Sequence, residues 1–283
     1  MVLVAPNTEG QAEAATARDE VLALLRNGSG QRPRFDPGLA GGLRAWLEDA
    51  ASLVVAARGE DAPALSLGPR QLLGDHEDGD SGGASNGTEL PPGVVRSYLV
   101  HALFRQIVTT GTVDDPLGDA LGALGVDPAR AELVRHVTGL PRGARTELAA
   151  SLSAHVASLL ALTPRFAPGW LPRTGDRVAI PLAGGRLTLV GTFDLLVGAP
   201  TAATASLCAV GLTTDGPWAR ARRTLHFLAL LEALRTGTPP FRVALLHSGA
   251  GRYGVEDVTE AHLGAVVSHV AARLEEMAGA LDG

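Results

Sequence analysis

The fold class of this chain is decided by residues 206–248, SLCAVGLTTDGPWARARRTLHFLALLEALRTGTPPFRVALLHS. The run SLCAVGL at its start and the run FRVALLHS at its end are apolar enough to form strands inside a sheet. The residues between them have the spacing of an amphipathic helix, with Pro217 at its start and Gly237 just past its end. A strand, a helix and a strand in this order predict an α/β protein.

Two strands before this segment and one strand after it extend the predicted sheet. RVAIPL (177–182) and RLTLVGTFDLLVG (186–198) are β-rich runs, and the tight turn AGG joins them into a hairpin. RYGVEDV (252–258) is a further short strand, and a helix over 259–281 closes the chain, with Thr259 as its candidate N-cap. The predicted order is therefore β, β, β, α, β, followed by a short strand and a helix.

The first part of the chain is predicted to be mainly helical. Helical patterns cover the ranges 19–25, 43–57, 94–109, 127–138 and 145–160. The segment GDHEDGDSGGASNGTELPPG (74–93) is acidic, small and polar, which predicts a flexible surface loop. These patterns divide the chain into a helical part (1–73), the acidic loop (74–93), a helical segment that packs on the core (94–163) and the α/β core (164–283).

The charged residues are unevenly distributed along the chain. The formal net charge of −6 argues against a protein that coats nucleic acid with a basic surface. Residues 1–160 hold 13 arginines against 20 acidic residues, whereas residues 161–283 hold 11 arginines against 10. An anion-binding surface is therefore expected in the second half. All 24 basic residues are arginines, so the chain has no lysine for a mechanism that needs an amine.

Two absences in the sequence bear on chemistry and location. Cys208 is the only cysteine, which excludes an intrachain disulfide and a cysteine-based zinc site. The segment MVLVAPNTEGQAEAATARDE has no basic leader, and the chain has no run of about 18 apolar residues. The sequence therefore predicts a cytoplasmic protein without a membrane partner.

An ordered spacing of motifs points to a known family. GTFDLLVG places Asp194 on a predicted strand, and the next strand brings Gly211 17 residues later. A helix rich in alanine and leucine follows, and then another strand. Over residues 170–258, about a third of the chain, this order resembles the RecB-like branch of the PD-(D/E)XK nuclease superfamily. The resemblance implies an αβββαβ core with a mixed central sheet.

The resemblance also implies a metal site, most of which this chain has lost. In the family, an aspartate and a second acid hold a divalent ion, usually Mg²⁺, and a lysine places positive charge beside the scissile phosphate. Asp194 is the vestige of that site, while Gly211 and Thr213 occupy the vacated positions of the acid and the lysine. Asp215 is a substitute acid close by in sequence. The resemblance therefore implies an inactive protein for which no cofactor is expected.

Two further sets of residues are candidates for a site. His155 lies on the predicted helix before the core, where some RecB-like members carry an extra metal ligand; the alternative is a histidine packed among leucines. Arg220, Arg222 and Arg223 lie near a helix start, where backbone N–H groups favour anions, so they are candidate phosphate-binding residues. The alternative is a solvated helix start paired with nearby acids.

Three functions stay open on the sequence. The first is an inactive nuclease-like domain retained for binding DNA or another nucleic acid, or for assembly. The second is a DNA nuclease dependent on Mg²⁺ or Mn²⁺, with a rearranged site of Asp194, Asp215, His155 and an arginine. The third is a protein–protein scaffold that works through its helical part. A positive groove on the Arg220 side distinguishes nucleic-acid binding from the scaffold.

Overall fold

A computed structural model describes residues 2–4, 10–25, 32–59, 61–74, 90–199 and 205–282. The strands are β1 (Val2–Val4), β2 (Leu65–Leu67), β3 (Arg173–Leu182), β4 (Leu187–Val197), β5 (Cys208–Thr213), β6 (Arg242–His247) and β7 (Arg252–Asp257). The α-helices are α1 (Gly10–Leu25), α2 (Leu39–Arg58), α3 (Pro69–Leu72), α4 (Pro92–Thr110), α5 (Pro116–Gly125), α6 (Ala131–Thr138), α7 (Arg142–Leu162), α8 (Trp218–Thr236) and α9 (Glu260–Asp282).

The strands form one mixed sheet. Six of them lie side by side in the order β1-β7-β6-β5-β4-β2, and β3 pairs with β4. β5 and β6 are parallel, with Thr213 opposite His247, because α8 carries the chain back between them. The pairs β3–β4, β4–β5 and β6–β7 are antiparallel. The predicted α/β class with a mixed central sheet is confirmed.

Strand β4 changes partners along one of its edges. β3 pairs with β4 over nearly its whole length, so β2 and β5 share the opposite edge. On that edge β2 pairs with residues 187–189, and β5 pairs with residues 195–197. Residues 190–194 therefore lie between the two ladders, and the sheet is open beside Asp194.

Helices cover both faces of the sheet. On one face, α2, α8 and α9 share a hydrophobic core with β3 and β4, in which Phe193 and Leu228 are buried. On the other face, α4 and α7 share a second core with β5, β6 and β7, in which Phe104 and Val210 are buried. Burial of these apolar side chains on both faces holds the three layers together.

Four short elements are present that the sequence patterns do not predict. β1 pairs antiparallel with β7, β2 pairs parallel with β4, α3 follows β2, and α5 precedes the predicted helix over 127–138. The two strands have three residues each, which is too short to show a period of two. They are stabilised by neighbours that are distant in sequence, so local patterning carries little signal for them.

Residues 75–89, most of the predicted acidic loop, lie outside the described ranges. Cys208 is buried, and burial raises the pKa of its thiol to about 12, so the side chain is a neutral apolar group. None of the helices in the described ranges is long and apolar enough to cross a membrane.

Candidate functional site

A cleft of about 330 Å³ opens where β4 and β5 separate, with walls from these strands and from α4 and α8. We call it the central cleft. Four residues predicted from the sequence line it together: Asp194, Gly211, Thr213 and Arg220. His101 of α4 lines it as well. Among the described residues of its lining, Asp194 is the only acid.

Asp194 has a structural role in the central cleft. The ladder between β4 and β5 reaches only as far as the pair Leu195 and Val210. Beyond that pair, the backbone N–H of Leu212 donates to Asp194 Oδ2 at 2.8 Å. The carboxylate therefore accepts the hydrogen bond that a backbone carbonyl of β4 would accept if the two strands stayed together. In this way the N–H of Leu212 keeps an acceptor where the strands separate.

His101 faces the second oxygen of the same carboxylate. Its Nε2 lies 3.4 Å from Asp194 Oδ1. Its Nδ1 lies 2.7 Å from the carbonyl oxygen of Ser97, which can only accept, so Nδ1 carries a proton. This bond fixes the ring and leaves Nε2 directed at the carboxylate. The sequence does not predict His101 as a site residue, because its helix lies far upstream of the motifs around Asp194.

Close packing of α8 on the sheet accounts for the glycine at position 211. A Cβ built on Gly211 would lie 2.8 Å from Leu225 Cδ2 and 3.0 Å from Leu225 Cγ. Leu225 belongs to α8 and is 3% exposed. Gly191 on β4 meets the same helix, since its Cβ would lie 2.4 Å from Leu228 Cδ2. An acid at position 211 would therefore require the Leu225 side chain to shift from its packed position.

Asp215 and His155 do not line the central cleft. The carboxylate of Asp215 forms a salt bridge of 2.6 Å with Arg96 of α4. His155 is 6% exposed, and its Nδ1 lies 3.0 Å from Ser248 Oγ. Both residues belong to a polar cluster beyond the carboxyl ends of β5 and β6, where each already has a partner.

The three arginines at the start of α8 diverge. Arg220 lines the central cleft, whereas Arg222 and Arg223 line a second cavity on the other side of the helix. Arg222 also donates two hydrogen bonds to Glu256, at 2.7 and 2.6 Å. Arg220 is thus the arginine of the three that lies beside Asp194, Gly211 and Thr213.

The polar cluster around His155 makes stability depend on pH. Burial lowers the pKa of His155, with Arg96 and His247 acting in the same direction against Asp215, and burial also lowers the pKa of His247. The unfolded chain therefore binds more protons as the pH falls through about 6.5, so stability is present above that pH and is lost below it. We expect the free energy of unfolding to fall as the pH is lowered from about 7.5 to about 5.5.

Urea denaturation across this pH range, with two variants, measures that dependence. His155→Gln removes one titrating group and should flatten the pH dependence, whereas Ser153→Ala, an exposed change on the same helix that removes no titrating group, serves as the control. Burial raises the pKa of Glu232, which acts in the opposite direction, but Glu232 is common to all three proteins. An equal pH dependence for the wild type and His155→Gln would contradict the prediction.

No protein-family model matches this sequence, and no curated protein or solved structure matches it at a significant level. Functional inference therefore rests on the geometry of the central cleft and on the motif spacing over residues 170–258. The cleft offers one carboxylate, one imidazole and one guanidinium, together with the hydroxyls of its serine and threonine residues. This set can bind a phosphate, but it lacks the paired acids of a metal-dependent nuclease.

Proposed function

We propose that this chain is a nucleic-acid-binding protein with a PD-(D/E)XK-like core of the RecB-like type and without nuclease activity. The observation that carries the proposal is the composition of the central cleft. It joins Asp194, Gly211 and Thr213, the residues at the family's expected positions, with Arg220 of α8. The support is geometric: residues from two strands and a helix meet at one opening of the sheet.

The state of Asp194 argues against cleavage. Hydrolysis of a phosphodiester in this family needs two acids around a divalent ion and a lysine at the phosphate. Here the one acid of the cleft holds the backbone N–H of Leu212, and a glycine and a threonine replace the other two groups. The loss of a single preorganised charge commonly lowers a rate by about a hundredfold or more, so the loss of two leaves little activity.

The rest of the cleft argues for binding a phosphate backbone. Its lining offers the guanidinium of Arg220 and the hydroxyls of Ser97, Thr192, Thr213 and Thr224. The beginning of α8 lies at the same place, since Gly216 and Pro217 also line the cleft. Arginine side chains, hydroxyls and helix amino ends are the groups that commonly contact nucleic-acid phosphates.

A second candidate, a nuclease dependent on Mg²⁺ or Mn²⁺, is favoured by one observation. His101 donates Nδ1–H to a backbone carbonyl and presents Nε2 to Asp194, an arrangement typical of a metal-ligating histidine. Asp215 and His155, which the rearranged site requires, have other partners outside the cleft. Two ligands alone hold a hard divalent ion weakly, since Mg²⁺ prefers six oxygen-rich positions.

Binding of labelled DNA tests the first proposal. We expect the wild type to bind a fluorescent single-stranded DNA of about 20 nucleotides at about 50 mM salt, with an affinity that falls as salt rises. Arg220→Ala should weaken binding about tenfold, because it removes a charged donor to phosphate. Fluorescence anisotropy measures both dissociation constants.

The matched control is Arg223→Ala. Arg223 lies on the same helix but lines the second cavity, so its removal changes the net charge equally and should leave DNA affinity within about threefold. Equal losses in both variants would indicate nonspecific attraction to a charged surface. If the wild type binds no single-stranded or duplex DNA or RNA at low salt, the protein–protein scaffold replaces this proposal.

A further inference from the structure

A second polar site lies across α8 from the central cleft. It is a cavity of about 460 Å³ lined by three histidines, His226, His262 and His269, and by Arg222 and Arg223. We call it the histidine cavity. His226 comes from α8 and His262 from α9, and Glu256 of β7 lies against both. Three elements thus bring ligand-type side chains to one place, apart from Asp194.

The side chains are close enough to share one ion. His226 Nε2 lies 3.2 Å from Glu256 Oε2, and His262 Nε2 lies 3.5 Å from Glu256 Oε1. One ligand atom from each of the three residues lies within 4.8 Å of the others. Ligand atoms around a tetrahedral zinc ion with bonds of 2.0–2.1 Å are separated by about 3.3 Å, so the spacing fits one ion once a ring of the stacked pair rotates to point its nitrogen at it.

Two buried ring nitrogens of this cluster lack aligned hydrogen bonds among the described residues. His226 is 8% exposed, and its Nε2 is buried 3.2 Å from Glu256 Oε2 without the alignment of a hydrogen bond. His262 Nδ1 is buried without a hydrogen-bond partner among the described residues. Buried polar atoms normally form aligned hydrogen bonds, so a nitrogen that lies against a carboxylate without one leaves room for a cation between them.

The arrangement of charges supports a metal ion over a purely ionic cluster. The rings of His226 and His262 are stacked, with centroids 4.8 Å apart, so protons on both would place like charges face to face. Arg222 already donates to both oxygens of Glu256. A carboxylate has about four lone-pair positions, so Glu256 can accept from Arg222 and still bind a metal.

We propose that His226, Glu256 and His262 form a binding site for one divalent transition-metal ion, with Zn²⁺ as the ion that fits this ligand set best. Two imidazoles and a carboxylate are a common set of three protein ligands for zinc, and they leave a fourth position open. The ion links α8, β7 and α9, and the open position faces the histidine cavity. Arg222 positions the carboxylate from outside the coordination shell.

Zinc binding by tag-free, chelator-treated full-length protein tests this site. Titration calorimetry with Zn²⁺ should show one equivalent bound by the wild type. His262→Ala should weaken binding at least about a hundredfold, because it removes one of three ligands. Co²⁺ is the second probe, since an imidazole–carboxylate site gives visible d–d absorption that His262→Ala should lose.

Two control variants separate this site from other sources of binding. His269→Ala removes a histidine that lines the same cavity but belongs to no ligand set, and Asp194→Asn alters the central cleft; both should bind zinc like the wild type. Saturating Zn²⁺ should also raise the Tm of the wild type but not that of His262→Ala. His262→Gln, with circular dichroism, replaces His262→Ala if the latter fails to fold.

Three outcomes would overturn the proposal. They are a wild type that shows no saturable binding of Zn²⁺ or Co²⁺, a folded His262 variant that binds like the wild type, and an Asp194→Asn variant that loses binding while the His262 variant retains it. The last result would place the metal in the central cleft. DNA binding through Arg220 is independent of these results, because the two sites lie on opposite sides of α8.

Discussion

Replacing Gly211 by glutamate is expected to lower the free energy of unfolding by about 3 kcal/mol, because the side chain overpacks the core and adds a charge beside Asp194. The new Cβ would lie 2.8 Å from Leu225 Cδ2 and 3.0 Å from Leu225 Cγ. Leu225 is buried between α8 and the sheet, so its side chain must leave its packed position to admit the new Cβ. Urea denaturation at about pH 7.5, above the histidine-dependent range, measures the change.

The matched variant is Thr213→Lys, which supplies the other missing group. The Thr213 side chain is half-buried at the cleft, so we expect this change to cost less than about 1 kcal/mol. The double variant Gly211→Glu, Thr213→Lys should not cleave DNA in Mg²⁺, since the glutamate overlaps the Leu225 side chain and Asp194 stays bonded to Leu212. A double variant with wild-type stability and Mg²⁺-dependent cleavage would show that the scaffold still accommodates the catalytic pair.

Replacing Asp194 by alanine is expected to lower the free energy of unfolding by about 2 kcal/mol, the cost of leaving a buried backbone donor unsatisfied. The donor is the N–H of Leu212, which donates to Asp194 Oδ2 at 2.8 Å. Asp194→Asn keeps an acceptor oxygen and should lose less than about 1 kcal/mol. Amide hydrogen exchange at Leu212, followed by NMR, should become faster in the alanine variant than in the asparagine variant.

Thr192→Ala is the control for the Asp194 variants. Thr192 lies two residues before Asp194 on β4, lines the same cleft and is exposed, so its removal should change stability by less than about 0.5 kcal/mol. If Asp194→Ala leaves stability and exchange at Leu212 unchanged but abolishes Mn²⁺ binding, then Asp194 is a metal ligand and its bond to Leu212 contributes nothing.

The parts of the fold that the sequence predicts are those with strong local patterning. β3 and β4 alternate and meet at a glycine-containing turn, and α8 has a proline before it and a glycine after it. β1 and β2 have no such pattern, because three residues paired to distant strands show no period. Their pairing depends on tertiary contacts, which composition and spacing do not encode.

The residues of the candidate sites likewise include some that the sequence pattern predicts and some that it does not. Asp194, Gly211 and Thr213 follow from motif spacing, since adjacent strands bring them together. His101 does not follow from it, because α4 lies far upstream and only the folded chain shows that it reaches Asp194. Sequence spacing does not predict the histidine cavity either, since its three ligand residues come from a helix, a strand and another helix. Arg220 and Arg222 are two residues apart in sequence. Arg220 lines the central cleft, whereas Arg222 donates to Glu256 at the histidine cavity.

Incubation of labelled DNA with purified protein in Mg²⁺ and in Mn²⁺, analysed in parallel on native and denaturing gels, separates DNA binding from DNA cleavage. Wild type and Asp194→Asn are compared at equal concentration. We predict a shifted complex on the native gel and intact DNA on the denaturing gel for both proteins. Cleavage by the wild type that requires the metal ion and disappears in Asp194→Asn would instead establish a working nuclease.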